Sequence, residues 1–148
     1  MPMVKPRLIY PEGQSPLGKA YVEPDFILRY PNNKYVLVEL ERPGHRIVTR
    51  VGHPSASVTH AAFQIAEWKD YINRFYGEIK EQFPGIAGSY TSMIVIGTGV
   101  ESSLSGEAQR LQYLNLLRQQ FGVEEVLTYT DLLIRARRAF TRLSALAI

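Results

Sequence analysis

Three acidic side chains, Asp25, Glu39 and Glu41, fall within the stretch EPDFILRYPNNKYVLVELERP between Glu23 and Pro43. Asp25 opens one run of alternating residues, Phe26 to Tyr30, and Glu39 and Glu41 end a second run that begins near Tyr35. Side chains on a strand repeat every second residue, so Glu39 and Glu41 share a face. Pairing the two runs brings all three carboxylates into one small volume. At ~4 Å and an effective dielectric of ~20, two like charges repel by roughly 4 kcal/mol. A divalent cation turns that repulsion into coordination, and Mg²⁺ uses one or two carboxylates with water and phosphate oxygens. Two readings of the spacing stay open. The acids form a metal site for Mg²⁺ or Mn²⁺ at a sheet edge, or they are solvated at strand ends.

The elements that must position these acids follow from the patterning. Pro31-Asn32-Asn33-Lys34 has turn chemistry, because proline presets φ and asparagine tolerates positive φ, and so predicts a hairpin. Gly44 to Pro54 is a polar loop, and Arg42, Arg46 and Arg50, with His45 and His53, follow directly on the acids. Those cations either hold a phosphate backbone against a bound metal or belong to a solvated basic loop. Ser55 or Ser57 caps a helix reaching about Phe75 or Tyr76, with Val58, Ala61, Ile65, Trp68, Ile72 and Phe75 as its buried face. His60, Gln64, Glu67 and Tyr71 form a second stripe. Gln64 and Tyr71 lie about 100–120° from the apolar centre, on a flank that can face the acids. Alone, His60 and Gln64 are equally ordinary as structural surface residues.

Thr91 to Gly97 is a continuous apolar run, as a central strand buried on both faces requires. Ser103 or Ser105 caps the next helix, with Leu111, Leu114, Leu117 and Phe121 inward and Gly122 as a stop. Val123 to Thr130 reads as a strand. Asp131 then caps a last amphipathic helix with Leu132, Leu133, Ala136, Phe140 and Leu143 on its apolar side, and Arg135, Arg137, Arg138 and Arg142 exposed. Residues 1–22 are rich in proline and glycine and read as an irregular segment covering the hairpin edge. Only Arg7 to Tyr10 and Lys19 to Val22 resemble strand material. Hairpin, helix, strand, helix, strand, helix is an α/β order, predicting a mixed central sheet flanked by helices on both faces.

Composition bounds the rest. A chain of 148 residues, 45% hydrophobic, suits a single domain with one core. With no cysteine, disulfides, zinc–thiolate sites and thiol nucleophiles are excluded, in keeping with a reducing compartment. No apolar run approaches ~18 residues and no signal-peptide core is present, so a cytoplasmic protein without a membrane partner is expected. A net charge of +3 and a pI near 9.2 permit nucleic-acid binding without demanding it.

Pro24-Asp25, then Glu39-x-Glu41 one strand later, then a helix carrying Gln64, resembles the PD-(D/E)XK nuclease superfamily. The segments LGKAYVEPDFILRY, VLVELERP, HAAFQIAEWKDYI, MIVIG and VLTYTDLLIRARRAF together resemble the C-terminal nuclease domain of the Shedu antiphage defence proteins, from about Leu17 to Arg142. The resemblance implies a restriction-endonuclease-like three-layer fold and a metal-dependent endonuclease that hydrolyses phosphodiester bonds of DNA, with RNA an open alternative. It implies Mg²⁺ or Mn²⁺ on Asp25 and Glu39, aided by the Leu40 carbonyl, with Gln64 orienting the site and His60 at the scissile phosphate or a ligand.

Two departures stand out. Glu41 occupies the position of the usual catalytic lysine. It would accept a proton from the attacking water or bind a second metal. Otherwise Lys34, Lys69 or Arg42 supplies the positive charge, or the domain is catalytically weak. The acidic helix that usually precedes the first strand is also absent, as in a piece of a longer protein or a minimal relative. The rival reading is an inactive nuclease-fold module that binds nucleic acid or a partner protein. A homo-oligomer is expected, and the apolar stretch Leu143 to Ile148 supports a third reading as an oligomerisation domain.

Overall fold

The computed structural model describes residues 2–99, 104 and 106–147. The hairpin forms as its alternation predicts, with β4 (Phe26–Tyr30) antiparallel to β5 (Lys34–Leu40). Asn32 and Asn33 close it at φ 64° and 54°, a left-handed conformation in which asparagine is one of the few comfortable non-glycine residues. The register sets Phe26 against Val38 and Ile27 against Leu37. One further step sets Asp25 opposite Glu39, on the face that also carries Ile27 and Leu37.

The sheet continues parallel from β5 to β6 (Tyr90–Val95) and from β6 to β7 (Glu125–Leu127). Each parallel step returns through a helix, α1 (Ala56–Ile79) and then α2 (Glu107–Phe121). Right-handed crossovers in one direction put both helices on one face. Their shared core joins Ile27, Leu37 and Ile94 of the sheet to Val58, Ile65, Trp68 and Ile72 of α1 and to Leu114 and Leu117 of α2. The predicted apolar face of α1 is buried throughout. The C-terminal ends of three parallel strands, the start of β4 and the first turns of α1 consequently meet at one end of the sheet.

Several boundaries differ from the sequence reading. The first 22 residues are more ordered than their composition suggests. Here β1 (Pro2–Val4) adds to the sheet beside β4, giving the order β1-β4-β5-β6-β7, while β2 (Leu8–Ile9) and β3 (Tyr21–Val22) pair separately. Strands of two or three residues are too short to show a period. The first helix is capped by Ser55 and runs on to Ile79, past a non-helical Phe75 at φ −123°. Ser103 and Ser105 lie outside the described residues. Leu111 points outward, 52% exposed.

The predicted strand from Val123 to Thr130 is only β7, because Thr128 starts a helix. The Thr128 hydroxyl accepts the Asp131 amide while the Asp131 carboxylate accepts the Thr128 amide. This capping box makes Asp131 the third residue of α3 (Tyr129–Leu146), with Thr128 as its cap. The arginines of the last helix are exposed as expected, but so is every residue from Leu132 to Ala147. The helix is held by ion pairs of Asp131 with Arg110 of α2 and of Arg135 with Glu125 of β7. Leu133, Phe140 and Leu143 are left 51, 72 and 67% exposed.

Candidate functional site

Asp25 and Glu39 face each other across the hairpin beneath α1. Glu39 is only 7% exposed. Burial, then the charges of Asp25 and Glu41, push its carboxyl up to about 8, with Lys5 opposing and a hydrogen bond to Asp25 adding to the rise. A side-chain hydrogen bond thus joins the two carboxyl groups. Asp25 is held by the Leu40 amide, which donates to its Oδ2 at 2.8 Å.

Gln64 comes down on this pair from α1. Its Oε1 is buried without a hydrogen-bond partner, an arrangement that costs about 1–3 kcal/mol when nothing compensates it. Asp25, Glu39 and Gln64 line a cavity of about 290 Å³ together with Lys5, Lys19 and Glu67. At ~30 Å³ per water, that space has room for a hydrated ion. Paired acids and an orphaned amide oxygen fit a hard cation, which takes one or two carboxylates and fills its shell with water. Among the described residues no three histidine or acidic side chains form a ready-made cage.

Glu41 sits on the same edge but has other neighbours. Its carboxylate lies between His45 Nδ1 at 3.5 Å and His60 Nδ1 at 3.7 Å. His45 Nδ1 also meets the Ser57 hydroxyl at 2.9 Å. The predicted second stripe of α1 thus does reach the acids, Gln64 at Asp25 and Glu39, His60 at Glu41. Of its other members, Glu67 lines the cavity of Asp25 and Glu39 and Tyr71 does not. Glu67 is paired with Lys19, and the buried Tyr71 donates to the Ile9 carbonyl. Arg42, Arg46 and Arg50 are exposed on the loop after β5, which is anchored by buried Ile47 and Val48. Lys34 opens β5 at the hairpin turn, about 17 Å along the strand from Glu39. Lys69 is tied to the Gly122 carbonyl and Glu124. Neither reaches the acids.

Three residues at this end escaped the sequence reading. Tyr129 donates from its hydroxyl to the Glu41 carbonyl at 2.6 Å, and burial followed by Asp25 and Glu41 raises its pKa. Gly97 follows β6 at φ 68°, where a Cβ would stand 2.9 Å from the His45 carbonyl oxygen. Lys5 arrives from β1. For Tyr129 and Gly97 the available signal was their place just beyond parallel strands, where open α/β sheets bind ligands. Lys5 offered no such signal.

A mixed five-stranded sheet with three helices, its parallel strands ending at paired carboxylates, defines an α/β protein of the three-layer, nuclease-like kind. The chain belongs to the family described as the C-terminal region of the Shedu protein SduA, whose family model matches residues 4–133. That membership implies a part in antiphage defence. No curated protein matches the chain. Among the described residues no helix is long and apolar enough to cross a membrane.

Proposed function

We propose that this domain is a cytoplasmic metal-dependent nuclease of the PD-(D/E)XK kind that hydrolyses phosphodiester bonds of DNA. The observation that carries the reading is the pairing of the buried Glu39 with Asp25 beneath the unpartnered Gln64 Oε1. Asp25, Glu39 and the Leu40 carbonyl would hold Mg²⁺ or Mn²⁺, which supplies a Lewis acid for a phosphoryl oxygen and a water ionised near neutral pH. Gln64 orients the acids from above. Glu41, braced by His45 and His60, would accept a proton from the attacking water, and His60 would contact the scissile phosphate. Arg42, Arg46 and Arg50 flank the site and hold neighbouring phosphates by charge.

The test is incubation of supercoiled and linear DNA with and without Mg²⁺ or Mn²⁺, beside Asp25→Ala and Glu39→Ala. Both substitutions are expected to lower cleavage by roughly 100-fold or more with the fold retained. An Asp25→Ala protein that cuts as fast as the parent overturns the assignment. Glu41 in the usual lysine position favours a second reading, an inactive module that retains DNA or a partner. It predicts DNA retention without cutting, and no Mg²⁺ uptake dependent on Asp25 by calorimetry.

The partner we propose besides DNA is a second copy of the chain. Leu133, Ala136, Phe140, Leu143 and Ala147 are spaced three and four residues apart in turn, as in a coiled-coil seam. Antiparallel about a two-fold axis, Phe140 meets the small Ala136 of the partner subunit, and Leu133 meets Leu143 of the partner subunit. Leu133, Phe140 and Leu143 leave this side of α3 51, 72 and 67% exposed, an apolar stripe that a second copy would cover.

A further inference from the structure

With Glu41 beside Glu39 and with Lys34 and Lys69 remote, the hairpin itself brings no lysine to the paired acids. A lysine arrives instead from outside it. The register of β1 on β4 sets Val4 against Phe26, and the next step brings Lys5 to Asp25. The Lys5 amide donates to the Asp25 carbonyl at 2.9 Å. Lys5 stands at φ 45°, a left-handed conformation that a residue with a long side chain rarely adopts. There the chain turns out of β1 into the buried Pro6. The Lys5 side chain lines the same cavity as Asp25, Glu39 and Gln64, and its charge acts on Glu39 against those of Asp25 and Glu41. Lys19 shares the cavity but is committed to both carboxylate oxygens of Glu67, at 2.9 and 2.8 Å. Arg42 does not line it.

We propose that Lys5 is the phosphate-binding cation of this site, its ammonium contacting a non-bridging oxygen of the phosphate that faces the Asp25–Glu39 pair. The proposal rests on the nucleic-acid reading above. The lysine is supplied by a neighbouring strand in place of the strand that bears the acids. An ammonium on a flexible four-carbon stem suits a point contact to one oxygen and tolerates this change of origin. Lys5 makes no covalent bond and moves no proton. It binds, and it offsets the charge of two carboxylates that would otherwise repel a phosphate.

The experiment measures binding of a fluorescent DNA duplex to the whole chain, with Ca²⁺ in place of Mg²⁺ so that the duplex stays intact, across ~50 to ~200 mM salt. Removing one phosphate contact lowers the slope of log K against log salt by about 0.9 and weakens binding about eightfold at ~100 mM. Lys5→Gln is expected to show both losses, and Lys5→Arg to keep both parent values. Lys5→Gly accommodates the φ of 45° while removing the amine, and it should match Lys5→Gln with the melting temperature preserved.

An unchanged slope in Lys5→Gln overturns the assignment, and if the parent still cuts DNA in Mg²⁺ or Mn²⁺, the nuclease reading survives alone. If the parent binds but does not cut, and Lys5→Gln loses the slope, the nuclease reading falls while the Lys5 contact stands. A parent that binds no DNA overturns both.

Discussion

Glu39→Gln separates a buried acid awaiting a cation from one that merely ends a strand. In the folded chain the Glu39 carboxyl is raised from 4.5 to about 8, first by burial and then by Asp25 and Glu41. Between those values the folded state keeps a proton that the unfolded state has released. Stability therefore falls as pH rises through this window, and is fully present only below it. From 4.5 to 7 is about 2.5 units, at about 1.36 kcal/mol each. Ionisation thus costs the metal-free parent about 3 kcal/mol at pH 7 relative to a side chain that cannot ionise.

Glutamine keeps the shape and carries no charge. In EDTA, Glu39→Gln should match the parent near pH 4.5 and gain about 3 kcal/mol on it by pH 7. For a chain of this length that is roughly 6–12 °C in melting temperature. Urea titrations at a series of pH values in EDTA measure it directly. Adding Mg²⁺ at pH 7 should narrow the gap, because a cation favours the ionised pair of the parent and has less to hold in the variant. A parent whose stability is flat from pH 5 to 8, or a Glu39→Gln protein that gains nothing on the parent between pH 4.5 and 7, refutes the reasoning.

Two further outcomes follow from other parts of the molecule. Gly97→Ala should cost about 1–3 kcal/mol in urea denaturation, because alanine is strained at φ 68° and its Cβ would meet the His45 carbonyl at 2.9 Å. Full parent stability in that variant would disprove the close approach of the loop to the end of β6. Leu133→Glu combined with Phe140→Glu should halve the mass seen by analytical ultracentrifugation while leaving the melting curve of the monomer unchanged. A parent that is already monomeric rejects the α3 pairing.

How much could be read from residues alone depended on the range of the interaction. The hairpin was legible because alternation and the Pro31-Asn32-Asn33 turn are local, and the register of Asp25 on Glu39 follows once the turn is known. The buried face of α1 was legible for the same reason, since a period of 3.6 survives over six turns. Capping was read less well. Serine, threonine and aspartate all suit a helix start, so the sequence points to Asp131 as the cap of α3, whereas Thr128 and Asp131 share the task three residues apart.

Tertiary structure alone decided the surroundings of the acids. Periodicity put Glu41 on the face of Glu39, but only folding turned His45 and His60 onto it and left Asp25 and Glu39 as the close pair. It also decided how α3 is held. Amphipathicity predicts a covered apolar side, whereas α3 is held by the pairs Asp131–Arg110 and Arg135–Glu125, distant in the chain, with its apolar side left exposed. Lys5 is the extreme case. A lysine after a three-residue strand carries no local signature, and its place beside Asp25 exists only because β1 pairs with β4 across some twenty residues of intervening chain.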